Sequence, residues 1–488
     1  MSDNPTLGLK PEILWQRFYE ISRVPRPSKN EGKMVTYLEN LFKQLNVQYK
    51  KDKVGNLVAI VPASKGFENS PVVVLQGHID MVCEKNKNTL HDFDKDPIKL
   101  LLKDGWITAD GTTLGSDNGI GVAAALAVIS DKDVIHGPIE ILLTIDEETG
   151  LTGANNLEPG FISGDVLLNL DSEEEGSFYV GCSGGIDVLG NIDIELQNIP
   201  SGTAPYELLV TGLKGGHSGL DINSGKANAI KILARTLREI NKINFFISKI
   251  EGGSKRNAIP REAESIIFLN PLDEQKVISL INEIEPIFRN EFNSTDNGLK
   301  IEFKKSNSKF ENVLSKSSAD KIINLLLALP HGVITMSQDI PDLVETSTNL
   351  ATISTSRNSI QIATSQRSSI ESAKKYIAES VTAVFNLANA NVKSGDGYPG
   401  WKPNMDSHLL KLAKKIYKDI FNKEPKVKAI HAGLECGILG NKVSGLDMIS
   451  FGPTILGAHS PDEKVNIESV DKFYKLLKSF LKSLAEEN

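Results

Sequence analysis

Short apolar runs of strand length, separated by helical stretches, constrain this chain most. Residues 57–61, 72–75, 139–145 and 166–170 are apolar runs rather than alternating ones, interrupted only by Glu140, Thr144 and Asn169, and residues 119–129 have the length of a helix. A strand buried on both faces reads in this way, and strand–helix alternation builds a mostly parallel sheet covered by helices. Upstream, Leu14, Phe18 and Ile21, then Val35, Leu38, Phe42 and Leu45, mark two amphipathic helices separated by Pro25, Pro27 and Ser28. The middle of the chain changes character. Residues 206–211, 265–269, 299–303, 350–354 and 360–364 alternate like half-exposed strands, with amphipathic helices at 227–240 and 277–288. The tail returns to the first pattern, with a helix at 407–421, a strand at 448–451 and a final helix at 469–484. The pattern predicts an α/β domain with a mostly parallel sheet, residues 1–186 and 397–488, interrupted by an inserted α+β domain, residues 187–396. The glycine-rich segments 179–185 and 393–403 are the expected hinges.

The 488 residues suffice for two or three domains, and the balance of 40% apolar and 24% charged residues is that of an ordinary globular protein. A net charge of −8 argues against a dedicated nucleic-acid binder. Cys83, Cys182 and Cys436 are odd in number and widely spaced, so inert thiols are expected rather than a disulfide framework. The sequence opens without a basic segment leading into an apolar one. Its longest apolar run, residues 121–129, is far short of the roughly 18 residues of a membrane span. The expectation is a cytoplasmic protein with no membrane partner.

Four apolar runs lead to a histidine or a carboxylate. VVVLQGHID ends in His78 and Asp80, IEILLTIDEETG in Asp146, Glu147 and Glu148, and DVLLNLDSEEEG in Asp171. DMISFGPTILGAHSPDE leads through a Gly/Pro loop to His459, and DGTTLGSDNGIG sets Asp117 just before a helix. Ligands of open α/β sheets bind beyond the carboxyl ends of the strands, where these groups would converge. Taken singly, a histidine at a strand end is most often structural and an acidic pair in a loop most often solvated, as the SEEE run after Asp171 is expected to be. Two histidines and several carboxylates in one cleft instead suit divalent transition metals, zinc above all. Five ligands exceed one open tetrahedral site and suit two metals sharing a carboxylate. Of the adjacent Glu147 and Glu148, one could ligate and the other serve as base. His78 and Asp80 share a strand face, so Asp80 could accept the second imidazole N–H and fix the tautomer.

The motifs GHIDMV, GSDNGIG, IDEETGLTGA, LNLDSEE, GGHSG and GAHSPDE resemble the di-zinc exopeptidases of the carnosinase and aminoacylase superfamily. HAGLECG, SFGP and MSQDIPDLVETSTNLA resemble its dipeptidase branch, over nearly the whole chain and in order. The resemblance implies an enzyme that hydrolyses dipeptides, β-alanyl-histidine and other Xaa-His among them, using two divalent metal ions per subunit. Zinc is expected, with manganese or cobalt as alternatives. It implies that His78 and Asp171 bind one metal, Glu148 and His459 the other, and that Asp117 bridges them through a cis peptide to Asn118. Glu147 becomes the general acid/base, and Asp80 the residue that orients His78. The insertion becomes a lid whose His217 stabilises the oxyanion and whose Asn257 lies near substrate. For the substrate ends, Glu435 is the candidate for the amine and Arg367 for the carboxylate, although TSQRSS reads more readily as carrying a solvated surface arginine. Relatives are often homodimers. With about 210 residues, the insertion is large enough for His217 to act within its own chain. One departure is Asp342, where the branch usually has glycine. The competing readings are another amidohydrolase of the superfamily, either an N-acyl amino acid deacylase or a tripeptidase, and an inactive peptide-binding protein.

Overall fold

In the computed structural model, which describes residues 4–487, the chain divides into two compact units. The first runs to Gly181 and resumes over Pro403–Ala429 and from Leu434 onward; the second holds Cys182–Lys402 and Ile430–Gly433. The second unit therefore begins before residue 187 and ends after residue 396. It also takes back a four-residue segment at Ile430–Gly433, which is too short to carry any hydrophobic period.

The first unit is built on an eight-stranded sheet, in the order Gln48–Lys51, Leu57–Val61, Ile139–Thr144, Val73–His78, Val166–Asn169, Asp447–Ser450, Ser177–Cys182, Lys426–Ile430. Its four central strands are parallel, with Val73–His78 between Ile139–Thr144 and Val166–Asn169, and Asp447–Ser450 beyond. Leu57–Val61 and Gln48–Lys51 extend it antiparallel on one side. The chain runs from Val73–His78 to one neighbour and then back to the other. The strand order thus reverses beside His78, where open α/β sheets place their ligands. The helix Ser116–Ser130 is apolar nearly all round, and Ile120–Val128 are all buried. It is a core helix, with no solvent face of its own. The carboxyl ends of the parallel strands are His78, Thr144, Asn169 and Ser450, so the polar residues just beyond them meet at one edge.

The second unit has a nine-stranded sheet. Its order is Lys300–Lys305, Ala204–Thr211, Ala263–Leu269, Phe245–Gly252, Val344–Thr355, Ser359–Ser368, Gly184–Asp193, Asn391–Ser394, with Gly332–Met336 paired to Val344–Thr355. Its strands pair antiparallel, as the alternating pattern predicts. Helices Ala229–Ile240, Glu274–Glu291 and Lys316–Ala328 cover it, with Leu233, Leu237, Ile281 and Leu326 packed among Leu208, Ile247 and Ile267. Asn228 caps the first helix and Ser315 the third. Cys182 and Trp401 exchange both backbone hydrogen bonds at 2.9 Å, so the chain enters and leaves this unit side by side. Asp342 has φ of 61°. That is the left-handed conformation in which glycine is the ordinary occupant and Asp one of the few substitutes.

Candidate active site

The strand ends bring the predicted ligands of the first unit together. His78, at the last position of its strand, is almost wholly buried. Its Nδ1 faces Asp80 Oδ1 at 3.2 Å, and its Nε2 lies 3.1 Å from Asp117 Oδ1 and 3.3 Å from Asp171 Oδ1. On the other side, His459 Nε2 lies 3.2 Å from Asp117 Oδ2 and 3.0 Å from Glu148 Oε2. One Asp117 oxygen therefore faces each histidine. The groupings His78–Asp117–Asp171 and Asp117–Glu148–His459 each have ligand atoms within 4.8 Å of one another. The Asp117–Asn118 peptide is cis. Asn118 Nδ2 donates to Leu170 O at 2.7 Å, tying the Asp117 segment to the strand end that carries Asp171. Gly77 leaves the room for this, since a Cβ there would lie 2.3 Å from Asn118 Oδ1.

Asp80 does more than orient an imidazole. It also accepts from Ser28 Oγ at 2.7 Å and from the backbone N–H groups of Glu147 and Glu148 at 3.0 and 3.3 Å. One carboxylate thus fixes the His78 tautomer and the backbone of the acidic pair. Burial works against its charge, but the bond to His78 and the other donors outweigh it and hold Asp80 at about 2. The Glu147 carboxylate accepts no hydrogen bond from any described residue. Burial, reinforced by Asp171, Glu435 and Glu148, raises its proton affinity well above the usual range. Burial likewise pushes Asp171 up to about 7. Hydrogen bonds to Asp117 and Glu148 push His459 up to about 11.

These residues fit metal ions. Glu148 Oε1 is buried with no hydrogen-bond partner, and Asp171 Oδ1 is buried with only the His78 nitrogen at 3.3 Å, too poorly aligned for a hydrogen bond. The mixture of imidazole nitrogen and carboxylate oxygen is that of zinc and its neighbours. A cation among these acids would also keep them ionised. A further carboxylate group, Glu31, Asp80 and Asp146, is occupied by the fold's own donors. Glu31 accepts from the N–H groups of Lys29 and Asp146, and Asp146 accepts from the hydroxyls of Thr149 and Thr152.

Glu435 is buried, with Oε2 held at 2.6 Å by both Gln76 Nε2 and Thr144 Oγ1, while Oε1 has no partner. Burial pushes it up to about 7. Neither holder stands out in the sequence, because both lie inside apolar strands.

The second unit carries the other predicted residues. His217 lies on the short strand Gly216–His217, which pairs with Ala258–Ile259, and Ser218 N donates to Asn257 O at 2.9 Å. Asn257 is exposed beside it. His217 Nδ1 accepts from the N–H groups of Gly219 and Leu220 at 3.2 and 3.1 Å. Burial, then the charge of Arg367, lowers its proton affinity. The imidazole is therefore neutral with its hydrogen on Nε2, which makes it a hydrogen-bond donor. Arg367 is not on the surface: it is 6% exposed, donating to Tyr398 Oη at 2.9 Å and Ser218 Oγ at 3.3 Å. It has no acidic partner among the described residues. A buried guanidinium without a counter-ion calls for an anion. The sequence hides this, since TSQRSS has the look of a polar surface strand.

A parallel sheet with two histidines and their carboxylates at its carboxyl edge is the architecture of a metallopeptidase, and the chain belongs to peptidase family M20/M25/M40, whose model matches residues 74–483. Within the family it is 41% identical over 477 residues, 98% of either chain, to the cytosol non-specific dipeptidase of Escherichia coli (strain K12). Its structure matches the crystal structure of aminoacylhistidine dipeptidase from Vibrio alginolyticus with a TM-score of 0.88 and 41% identity, covering 98% of this chain and 97% of that one. The aminopeptidase PepT of Bacillus cereus shares the fold at a TM-score of 0.58 and 18% identity, over 98% and 99% of the two chains.

Proposed function

We propose that this chain is a metal-dependent dipeptidase that cleaves Xaa-His and a broad range of other dipeptides, β-alanyl-histidine among them. The observation that carries the reading is the Asp117 carboxylate, with one oxygen toward His78 and the other toward His459. His78 and Asp171 would hold one divalent ion, Glu148 and His459 a second, with Asp117 shared and zinc the expected metal. Bound there, the ions would supply Lewis acidity to the scissile carbonyl and acidify a water molecule.

The chain's own residues do the rest. Glu147 accepts the proton of the attacking water and returns it to the leaving nitrogen, a role supported by its raised proton affinity. Asp80 keeps the His78 hydrogen on Nδ1, so Nε2 is free to ligate. His217 offers its Nε2 hydrogen to the carbonyl oxygen as charge develops there. Arg367 pairs with the substrate carboxylate and the open Oε1 of Glu435 with its amine. Asn257 stands beside His217 as a further polar contact. Capture of both charged ends is what would limit the substrate to two residues. We place the working protein in the cytoplasm as a homodimer. Among the described residues no helix is long and apolar enough to cross a membrane.

The test is a dipeptide panel that includes β-alanyl-histidine, an N-acetylated dipeptide and a long peptide, with metal content measured on the same sample. Hydrolysis of free dipeptides alone, with two metal equivalents, supports the reading. Rapid cleavage of the N-acetylated dipeptide or the long peptide would replace it with the deacylase or a longer-peptide exopeptidase.

A further inference from the structure

Glu463 and Arg26, which the chemistry above does not use, grip one loop from two sides. Glu463 is 2% exposed and its carboxylate takes five donors from the segment that leads into Asp117. Oε2 accepts from Leu114 N at 2.7 Å and Gly115 N at 2.9 Å; Oε1 accepts from Ser116 N at 2.7 Å, Ser116 Oγ at 2.6 Å and Asp117 N at 3.2 Å. Arg26, equally buried, donates to Ile79 O at 3.2 Å, Asp80 O at 2.7 Å and Gly115 O. Gly115 therefore has its N–H held by Glu463 and its carbonyl by Arg26. No side chain fits between them: φ is 69°, and a Cβ would lie 2.5 Å from Arg26 Nη2 and 2.8 Å from Met81 Sδ.

The two grips join different parts of the metal site. Arg26 links the Asp117 loop to the strand end of His78 and Asp80, and the Asn118–Leu170 bond adds a second tie on that side. Glu463 belongs to the loop of His459, which connects Ile455–Leu456 to Lys464–Asn466. Its carboxylate, together with the His459 imidazole, reaches the Asp117 segment from that loop, more than 340 residues away in sequence. That loop is otherwise anchored elsewhere, by pairing of Lys464–Asn466 with Trp106–Thr108 and by Thr108 Oγ1 on Glu463 O at 2.8 Å.

We infer that Glu463 is a positioning residue that sets His459 against Asp117 and so governs the affinity of the second metal position, while Arg26 fixes the first. The inference rests on the two-metal reading above. An outer-shell carboxylate of this kind changes metal affinity by roughly 10–100-fold when removed.

The test uses cobalt(II) titrated into chelator-treated full-length protein, with bound metal counted and the visible absorption of the ion recorded. Wild type should take two equivalents in two steps, and His459→Ala should identify the step that belongs to the second position. Glu463→Gln should weaken that same step by about 10–100-fold, alter its absorption band, and leave the other step unchanged. Should Glu463→Gln not fold, Ser116→Ala removes one of the five donors and should weaken the same step by a smaller factor. A role in folding alone would lower the melting temperature without favouring either step. Equal weakening of both steps, or two wild-type steps in the variant that folds, overturns the inference. Fewer than two equivalents in wild type overturns it together with the two-metal reading, whereas two equivalents bound with unchanged affinities in both proteins overturns it alone.

Discussion

Replacing Glu147 by Gln should abolish turnover while leaving the fold and the metal content intact. The Glu147 carboxylate accepts no hydrogen bond from a described residue, and its backbone N–H stays bound to Asp80 in either variant, so an isosteric amide breaks no contact. Loss of a general base costs about 10²–10⁴ in rate, equivalent to about 3–5.5 kcal/mol of barrier. The structure argues for the upper end of that range. Burial, then Asp171, Glu435 and Glu148, raises the proton affinity of Glu147, and a base that holds its proton more strongly than an ordinary carboxylate contributes more. The same repulsion fixes the sign of a second effect. Removing one charge from this cluster should stabilise the metal-free protein, raising its melting temperature. The assay is steady-state hydrolysis of a good dipeptide, with metal analysis and thermal melting on the same preparations. Loss of a metal in Glu147→Gln, with both retained in Glu148→Gln, would reverse the division of labour between the two residues. A Glu147→Gln enzyme within tenfold of wild type would remove Glu147 from proton transfer.

Three further outcomes follow from the site. Arg367→Ala should raise KM by about 10–100-fold, the scale of a hydrogen-bonded charge, with kcat little changed; a C-terminally amidated dipeptide should lose nothing further, and an equal loss on both substrates would refute carboxylate binding. His217→Ala should lower kcat by about 10²–10³, as for a missing oxyanion donor, and mixing it with Glu147→Ala subunits should restore nothing if the histidine serves its own chain, whereas recovery toward half activity would put it across a dimer. Chelator-treated protein should melt at lower temperature as pH rises from about 5 to about 8. Burial lifts Asp171 from 3.8 and Glu435 from 4.5 to about 7, so their stabilising protonated forms are complete below the unfolded values and lost as pH climbs to the folded ones. His459, raised to about 11 from 6.5, acts in the same direction above neutrality. A profile that is flat or rises with pH would contradict these shifts.

The parts of this protein that were readable in its sequence are those in which one residue acts through a local pattern. The parallel strands announced themselves as largely apolar runs, and the polar residue after each run marked the edge where ligands gather. Strand limits were less legible, since Val344–Thr355 extends well beyond the apolar core at 350–354 that reveals it; Thr346, Ser347, Thr348 and Asn349 are buried but polar, and carry no hydrophobic signal. Contacts made across the chain left almost no trace. Arg367 looked like surface because its neighbours are Ser, Gln and Thr, yet those small polar residues line a buried strand. Nothing in the sequence singles out Glu463, because its carboxylate is saturated by backbone N–H groups from a loop that no spacing rule connects to it. Asp342 was the reverse case, an oddity of residue type that the left-handed backbone explains.

The paired entry and exit of the second unit at Cys182 and Trp401 has an evolutionary consequence. A segment whose two ends lie hydrogen-bonded together can be gained, lost or exchanged at a single point of its host, because joining the host across the gap strains nothing. Every predicted metal ligand, and Glu147 with them, belongs to the host, whereas His217, Asn257 and Arg367 arrive with the insert. Only the return at Ile430–Gly433 stitches the insert in a second time. Selection for a new substrate can therefore work on the cassette and leave the metal ligands and Glu147 untouched, and a grafted cassette that keeps the histidine at position 217 is the natural starting point for redesigning which peptides such an enzyme accepts.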